Sequence, residues 1–280
     1  MKLGFNLLLW TPHVTLAHEP ILRELKKTGY DGVEIPMFEG DPAHYAKLGE
    51  LLDKIGLERT VVSVIQGKNP LSPDKASQKA AAEYAKWTID CTAALGANIL
   101  GGPMHSELGY FSGNPATAAE RKRAVSFHTR AGDYAAKKNV TFALEALNRF
   151  ECYFLNTMKQ LADYVAEVNH PAIKAMYDTF HSNIEEKDPT GAIKTIRPHM
   201  VHVHISENDR GTPGKGHVPW ADTYKALKKS KYDGFLTIEA FGRAMPALAA
   251  ATRVWRDFAP NPEEVYKFGF RSMKQGWAKA

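Results

Sequence analysis

The chain has 280 residues, 44% of them hydrophobic and 24% charged, the balance of a globular protein with a sizeable core. Its 36 basic and 31 acidic residues leave a net charge of +5, and the basic ones fall in short clusters ("RELKK", "RKR", "KALKKSK") that read as solvated helix faces rather than a nucleic-acid or membrane patch. Two cysteines, Cys91 and Cys152, without a CxxC spacing argue against a disulfide framework or thiolate metal site, and no apolar run approaches the roughly 18 residues that cross a bilayer.

The opening "MKLGFNLLLW" carries one lysine before a brief apolar stretch, and no small-residue cleavage site follows it. It reads as a first strand and not as a signal peptide, and the expectation is a soluble, reduced, cytoplasmic protein. Strand candidates then recur: "LGFNLLLW" (3–10), "DGVEIPM" (31–37), "RTVVSVI" (59–65), "ANILGGPM" (97–104), "VTFALEAL" (140–147), "AIKAMYD" (172–178), "MVHVHIS" (200–206) and "GFLTIEAF" (234–241). Amphipathic segments lie between them, among them "EPILRELKKTG", "AHYAKLGELLDKIG" and "TMKQLADYVAEVN", and each ends near a Gly or Asn, as helix C-termini do. Strand–helix alternation implies a parallel sheet, and eight units predict closure into a (β/α)8 TIM barrel filling one domain, 1–280. A doubly wound open sheet is the alternative, but "LWTPHV" lacks the Gly-rich fingerprint such folds place after the first strand.

Barrel active sites lie at the C-terminal ends of the strands. There the fifth strand carries Glu145, the sixth ends at Asp178, the seventh delivers His204 and the eighth delivers Glu239. Each has an ordinary alternative: a solvated loop glutamate, a helix-capping aspartate, a hydrogen-bonded core histidine. Yet "FALE" and "LTIE" set their glutamates behind apolar strand residues, where an unpaired carboxylate is costly. Four such placements on successive strands predict one shared metal site. Three carboxylates and an imidazole are a hard, oxygen-rich set suited to Mn²⁺, Mg²⁺ or Co²⁺. His202 shares a face with His204 but lies about 6.6 Å deeper at strand rise, too far to bind the same ion. It reads as a packed residue, with a hydrogen-bonding role beneath the site as the alternative.

Through "LEALNRFECYFLNT", "YDTFHSNIEE", "VHVHISENDRGTPGKGHVPW" and "TIEAFG" the chain resembles the ketose 3-epimerases, the D-tagatose, D-allulose (psicose) and L-ribulose 3-epimerases of the xylose-isomerase-like TIM barrels. The resemblance spans nearly the whole chain and is looser in its first half. It implies that Glu145, Asp178, His204 and Glu239 hold a divalent metal, most readily Mn²⁺, and that Glu145 and Glu239 double as acid and base in carbon-3 epimerisation of a free ketose through an enediolate. It further implies that Glu151, His181 and Arg210 bind the sugar, and that the protein forms a homodimer or homotetramer. Trp10 and Phe241 stand at strand ends, where they could face the sugar's apolar side or be buried under the last helix. "DRGTPGKGHVPW" lacks Walker spacing and reads as a mobile loop over the mouth. A sugar isomerase or inosose dehydratase using the same metal set stays open as an alternative, as does a sugar-binding protein without turnover. A metal-dependent nuclease would need further histidines at the strand ends, so nucleic acid is not an expected partner.

Overall fold

In the computed structural model, which describes residues 1–280, eight parallel strands pair in chain order. They are β1 (Lys2–Asn6), β2 (Gly32–Pro36), β3 (Glu58–Val62), β4 (Ile99–Gly102), β5 (Thr141–Leu144), β6 (Ile173–Asp178), β7 (Met200–Ile205) and β8 (Phe235–Ile238). β8 pairs back onto β1, Leu236 beside Leu3 and Ile238 beside Phe5, which closes the predicted barrel.

The helices are α1 (Glu19–Thr28), α2 (Pro42–Ile55), α3 (Lys75–Ala94), α4 (Ala118–Lys137), α5 (Met158–Val168), α6 (Thr179–Glu185), α7 (Pro189–Ile196), α8 (Trp220–Lys229), α9 (Pro246–Ala251) and α10 (Pro262–Lys279). Their ends follow the residues available. Thr117 and Thr157 open α4 and α5 with capping boxes closed by Glu120 and Gln160, and Gly29, Gly56 and Asn169 end α1, α2 and α5 in the left-handed conformation. None of the helices is long and apolar enough to cross a membrane.

The large apolar core lies between barrel and helices, with Leu22, Leu48, Ile89, Leu161 and Ile193 turned inward from five of them. The first strand is shorter than its apolar run. Extended backbone stops at Asn6, and Leu7–Leu9 form a 3₁₀ turn capped by the Asn6 side chain. At the end of β4, Gly102 has φ +113°, and a Cβ there would sit 2.2 Å from the Ser63 carbonyl oxygen, so only glycine fits between these strands.

Candidate active site

Barrel closure brings the four strand-end residues together. Asp178 is in register with His204, and His204 with Thr237, two residues before Glu239. His204 Nδ1 lies 3.4 Å from Glu239 Oε1, 3.5 Å from Asp178 Oδ2 and 3.8 Å from Glu145 Oε1. One ligand atom from each of the four lies within 4.8 Å of all the others.

These residues fit a divalent cation. Glu145 Oε1 and His204 Nδ1 are buried and have no hydrogen-bond partner. Orphaned buried acceptors are costly, and a cation at their shared focus satisfies both. Burial pushes the Glu145 carboxyl well above its usual range. Burial would raise Asp178 too, but His204, His181 and Arg210 hold it well below the carboxylate range. Asp178 caps α6: Oδ1 accepts from the Phe180 and His181 amides (2.5 and 3.2 Å), while Oδ2 faces His204 Nδ1.

Arg210, in the loop after β7, is buried with φ +66°. Its guanidinium lies between the rings of Phe180 (3.7 Å) and Phe241 (4.8 Å). Nη1 donates to Glu239 Oε2 at 2.7 Å, and Nη2 lies 2.9 Å from His181 Nε2. His181 Nδ1 accepts from the Asn148 amide at 3.0 Å, and Glu151 Oε1 accepts from the Asn148 side chain at 2.8 Å. Glu151, His181 and Arg210 thus join Glu145 and Glu239 around one cavity of about 300 Å³. Its remaining wall is largely apolar, with Leu8, Phe38, Val62, Phe241 and Leu248.

Trp10 takes the second of its two expected places, and two other features depart from the sequence reading. Trp10 is absent from the cavity wall; it packs on Phe5 (5.1 Å) and Tyr266 of α10 (6.0 Å), because the 3₁₀ turn breaks the strand's alternation before it. The Gly-rich loop is tied down instead of spanning the mouth: Glu207 accepts from the amides of Gly214 (2.7 Å) and Val218 (3.1 Å) and from Trp220 Nε1 (2.9 Å). The cavity's outer wall comes from the segment around α9, with Met245, Leu248 and Thr252.

Sequence reasoning also missed Glu34. This β2 carboxylate is fully buried in the barrel, 2.6 Å from His204 Nε2 and 2.8 Å from His202 Nε2. Burial would raise its pKa, but the two imidazoles hold it well below the carboxylate range. His202 is therefore a buried partner of Glu34 beneath the site and no part of the four-residue cluster. The signal was present in "GVEIP", an acid between two buried branched residues, the same pattern that singled out "FALE".

The profile of the xylose isomerase-like TIM barrel family matches residues 22–275. The chain is 31% identical over 276 residues to the "Probable ketose 3-epimerase" of Synechocystis sp., covering 98% of this chain and 96% of that one. It is 31% identical over 271 residues to the ketose 3-epimerase of Arthrobacter globiformis, covering 95% and 93%. Among solved structures, D-allulose 3-epimerase from Methylomonas sp. in complex with D-allulose superposes with a TM-score of 0.91 at 28% identity, over 98% of this chain and 96% of that one. Barrel, cavity and kinship agree, and the chain belongs to the xylose isomerase-like TIM barrel family and, within it, to the ketose 3-epimerases, which are isomerases.

Proposed function

We propose that the protein inverts carbon 3 of a free ketose of the D-allulose, D-fructose, D-tagatose or L-ribulose type, using Glu145 and Glu239 as the acid–base pair. The observation that carries this reading is that both carboxylates open into one cavity of about 300 Å³, beside a cation-ready cluster and a buried arginine. When bound by Glu145, Asp178, His204 and Glu239, a divalent cation, Mn²⁺ before Co²⁺ or Mg²⁺, supplies Lewis acidity that polarises the ketose carbonyl.

The remaining steps fall to the chain's own groups. One glutamate removes the proton on carbon 3, and that electron pair moves into the bond to carbon 2, giving an enediolate. The other returns a proton to carbon 3 from the opposite face. Arg210 offers fixed positive charge to the developing anion. His181 and Glu151 hydrogen-bond hydroxyls and fix the sugar's register, while the apolar wall receives its far carbons. In this reading the chain works as a single domain, in a homodimer or homotetramer, in the cytoplasm, where its two free cysteines stay reduced.

Incubation of the Mn²⁺-loaded protein with a panel of ketopentoses and ketohexoses in D₂O, with chromatography and NMR of the products, tests the reading. The expected product is the carbon-3 epimer with solvent deuterium on carbon 3. An aldose product, loss of water, or an epimer without label overturns it.

A further inference from the structure

We infer that Glu34 is a positioning residue that dictates which nitrogen of His204 faces the cation. The inference rests on the metal-binding reading above and assigns the layer beneath it. Glu34 reaches into the barrel from β2, while His204 stands on β7; β8 and β1 lie between these strands. At its own level Glu34 is in register with Asn6 of β1 and Thr60 of β3, and both point inward with it. Oε1 accepts from Thr60 Oγ1 at 3.0 Å and lies 2.8 Å from His202 Nε2. Oε2 lies 2.6 Å from His204 Nε2 and accepts from Asn6 Nδ2 at 2.9 Å.

A carboxylate only accepts, so the imidazole nitrogen 2.6 Å away must carry its proton. A neutral imidazole has one such proton. With Nε2–H spent on Glu34, Nδ1 is left with a free lone pair, and Nδ1 is the atom that faces Glu145, Asp178 and Glu239. Asn6 extends the control to a second member of the cluster. Its Oδ1 accepts from the Leu8 amide at 2.9 Å, which turns Nδ2 toward two carboxylates, Glu34 at 2.9 Å and Glu239 at 3.0 Å. Glu34 and Asn6 thus fix His204 and Glu239 relative to each other from below.

The test compares Glu34→Met and Glu34→Gln with the wild type by calorimetric titration of Mn²⁺ into chelator-stripped protein. Methionine leaves His204 Nε2 without an acceptor, and outer-shell losses of this kind cost about 10–100-fold in metal affinity. Glutamine can keep its oxygen toward His204 while its NH₂ faces Thr60, whose hydroxyl can accept, and His202 Nε2, which accepts once that ring carries its proton on Nδ1, so it should recover most of that loss. A second measurement needs no Glu34 variant: in the Mg²⁺-loaded wild type labelled with ¹⁵N-histidine, the His204 ring proton should sit on Nε2. Equal Mn²⁺ affinity in a folded Glu34→Met protein, no recovery with glutamine, or a ring proton on Nδ1 overturns this assignment alone. A wild type that binds no Mn²⁺ overturns the metal reading together with it.

Discussion

Arg210→Met keeps an unbranched apolar stem beside Phe180 and Phe241, and removes one positive charge from between two buried carboxylates, Asp178 and Glu239. Taking away one partner of a buried ion pair costs about 3–5 kcal/mol. The lost cation–π attraction is partly offset by methionine's own contact with the rings, so we assign about 4 kcal/mol to the metal-free protein. An unfolding entropy of about 2.1 cal/mol/K per residue gives about 0.6 kcal/mol/K for this chain, hence a Tm lower by about 7 °C in excess chelator. With Mn²⁺ bound, two positive charges stand among the same carboxylates. Only the packing loss of about 1.5 kcal/mol then remains, a fall of roughly 2–3 °C. The difference, about 2.5 kcal/mol, must reappear as tighter metal binding, roughly 60-fold, because each 1.4 kcal/mol is tenfold. Turnover should nevertheless fall, since the charge opposite the developing anion is gone. Thermal scans with and without Mn²⁺, together with calorimetric titration, measure every quantity. The same Tm loss in both conditions, or an unchanged or weaker Mn²⁺ affinity, would refute the reasoning.

Glu145→Gln and Glu239→Gln should each lower kcat by about 10²–10⁴-fold while sugar binding survives wherever metal stays bound; a turnover assay beside a sugar titration separates the two effects, and an active Glu239→Gln enzyme would refute the acid–base pair. Chelation should abolish activity and Mn²⁺ or Co²⁺ restore it, with His204→Ala losing Mn²⁺ binding and His202→Ala keeping most of it; the reverse order would contradict the strand geometry. Gly102→Ala must force an L-residue into φ +113° against the Ser63 carbonyl, at a cost of about 2 kcal/mol or more; a Tm within 1 °C of wild type would contradict this. Burial holds His128 down to about 3 and His105 to about 4, from 6.5, so the unfolded chain takes up protons first as pH falls. Stability is therefore lost between pH 6.5 and 4, by about 3 kcal/mol for His105 alone and more with His128, and a Tm of the chelated protein that stays flat over that window would count against both placements.

The repeating strand–helix rhythm and the four strand-end side chains were legible because both depend on local periodicity. Glu145 and Glu239 stood out as acids behind apolar strand residues, and in the structure each directly follows its strand, after Leu144 and Ile238. Contacts across the barrel obey no such local rule. Nothing in the spacing of Asn6, Glu34 and His204 says that β1 and β2 will face β7, because closure of the sheet alone brings them together. The choice between Trp10's two expected places was hidden for a different reason: the alternation extends only while the backbone stays extended, and it stops at Asn6. The hydrogen bonds that pin the Gly-rich loop were equally hidden, since they radiate from one buried carboxylate, Glu207, to groups seven to thirteen residues away.

The cavity's division of labour also bears on how such an enzyme can change. Its charged floor belongs to the ends of β5 to β8 and the loops after them, whereas much of its apolar wall is furnished by the end of β3 and the segments after β1, β2 and β8, through Val62, Leu8, Phe38 and Leu248. Drift in that wall reshapes the space for the sugar's tail without disturbing a single donor atom at its reacting end. A lineage, or an experimenter's library, can therefore wander through substrate preferences in the wall while the chemistry on the floor stays in place.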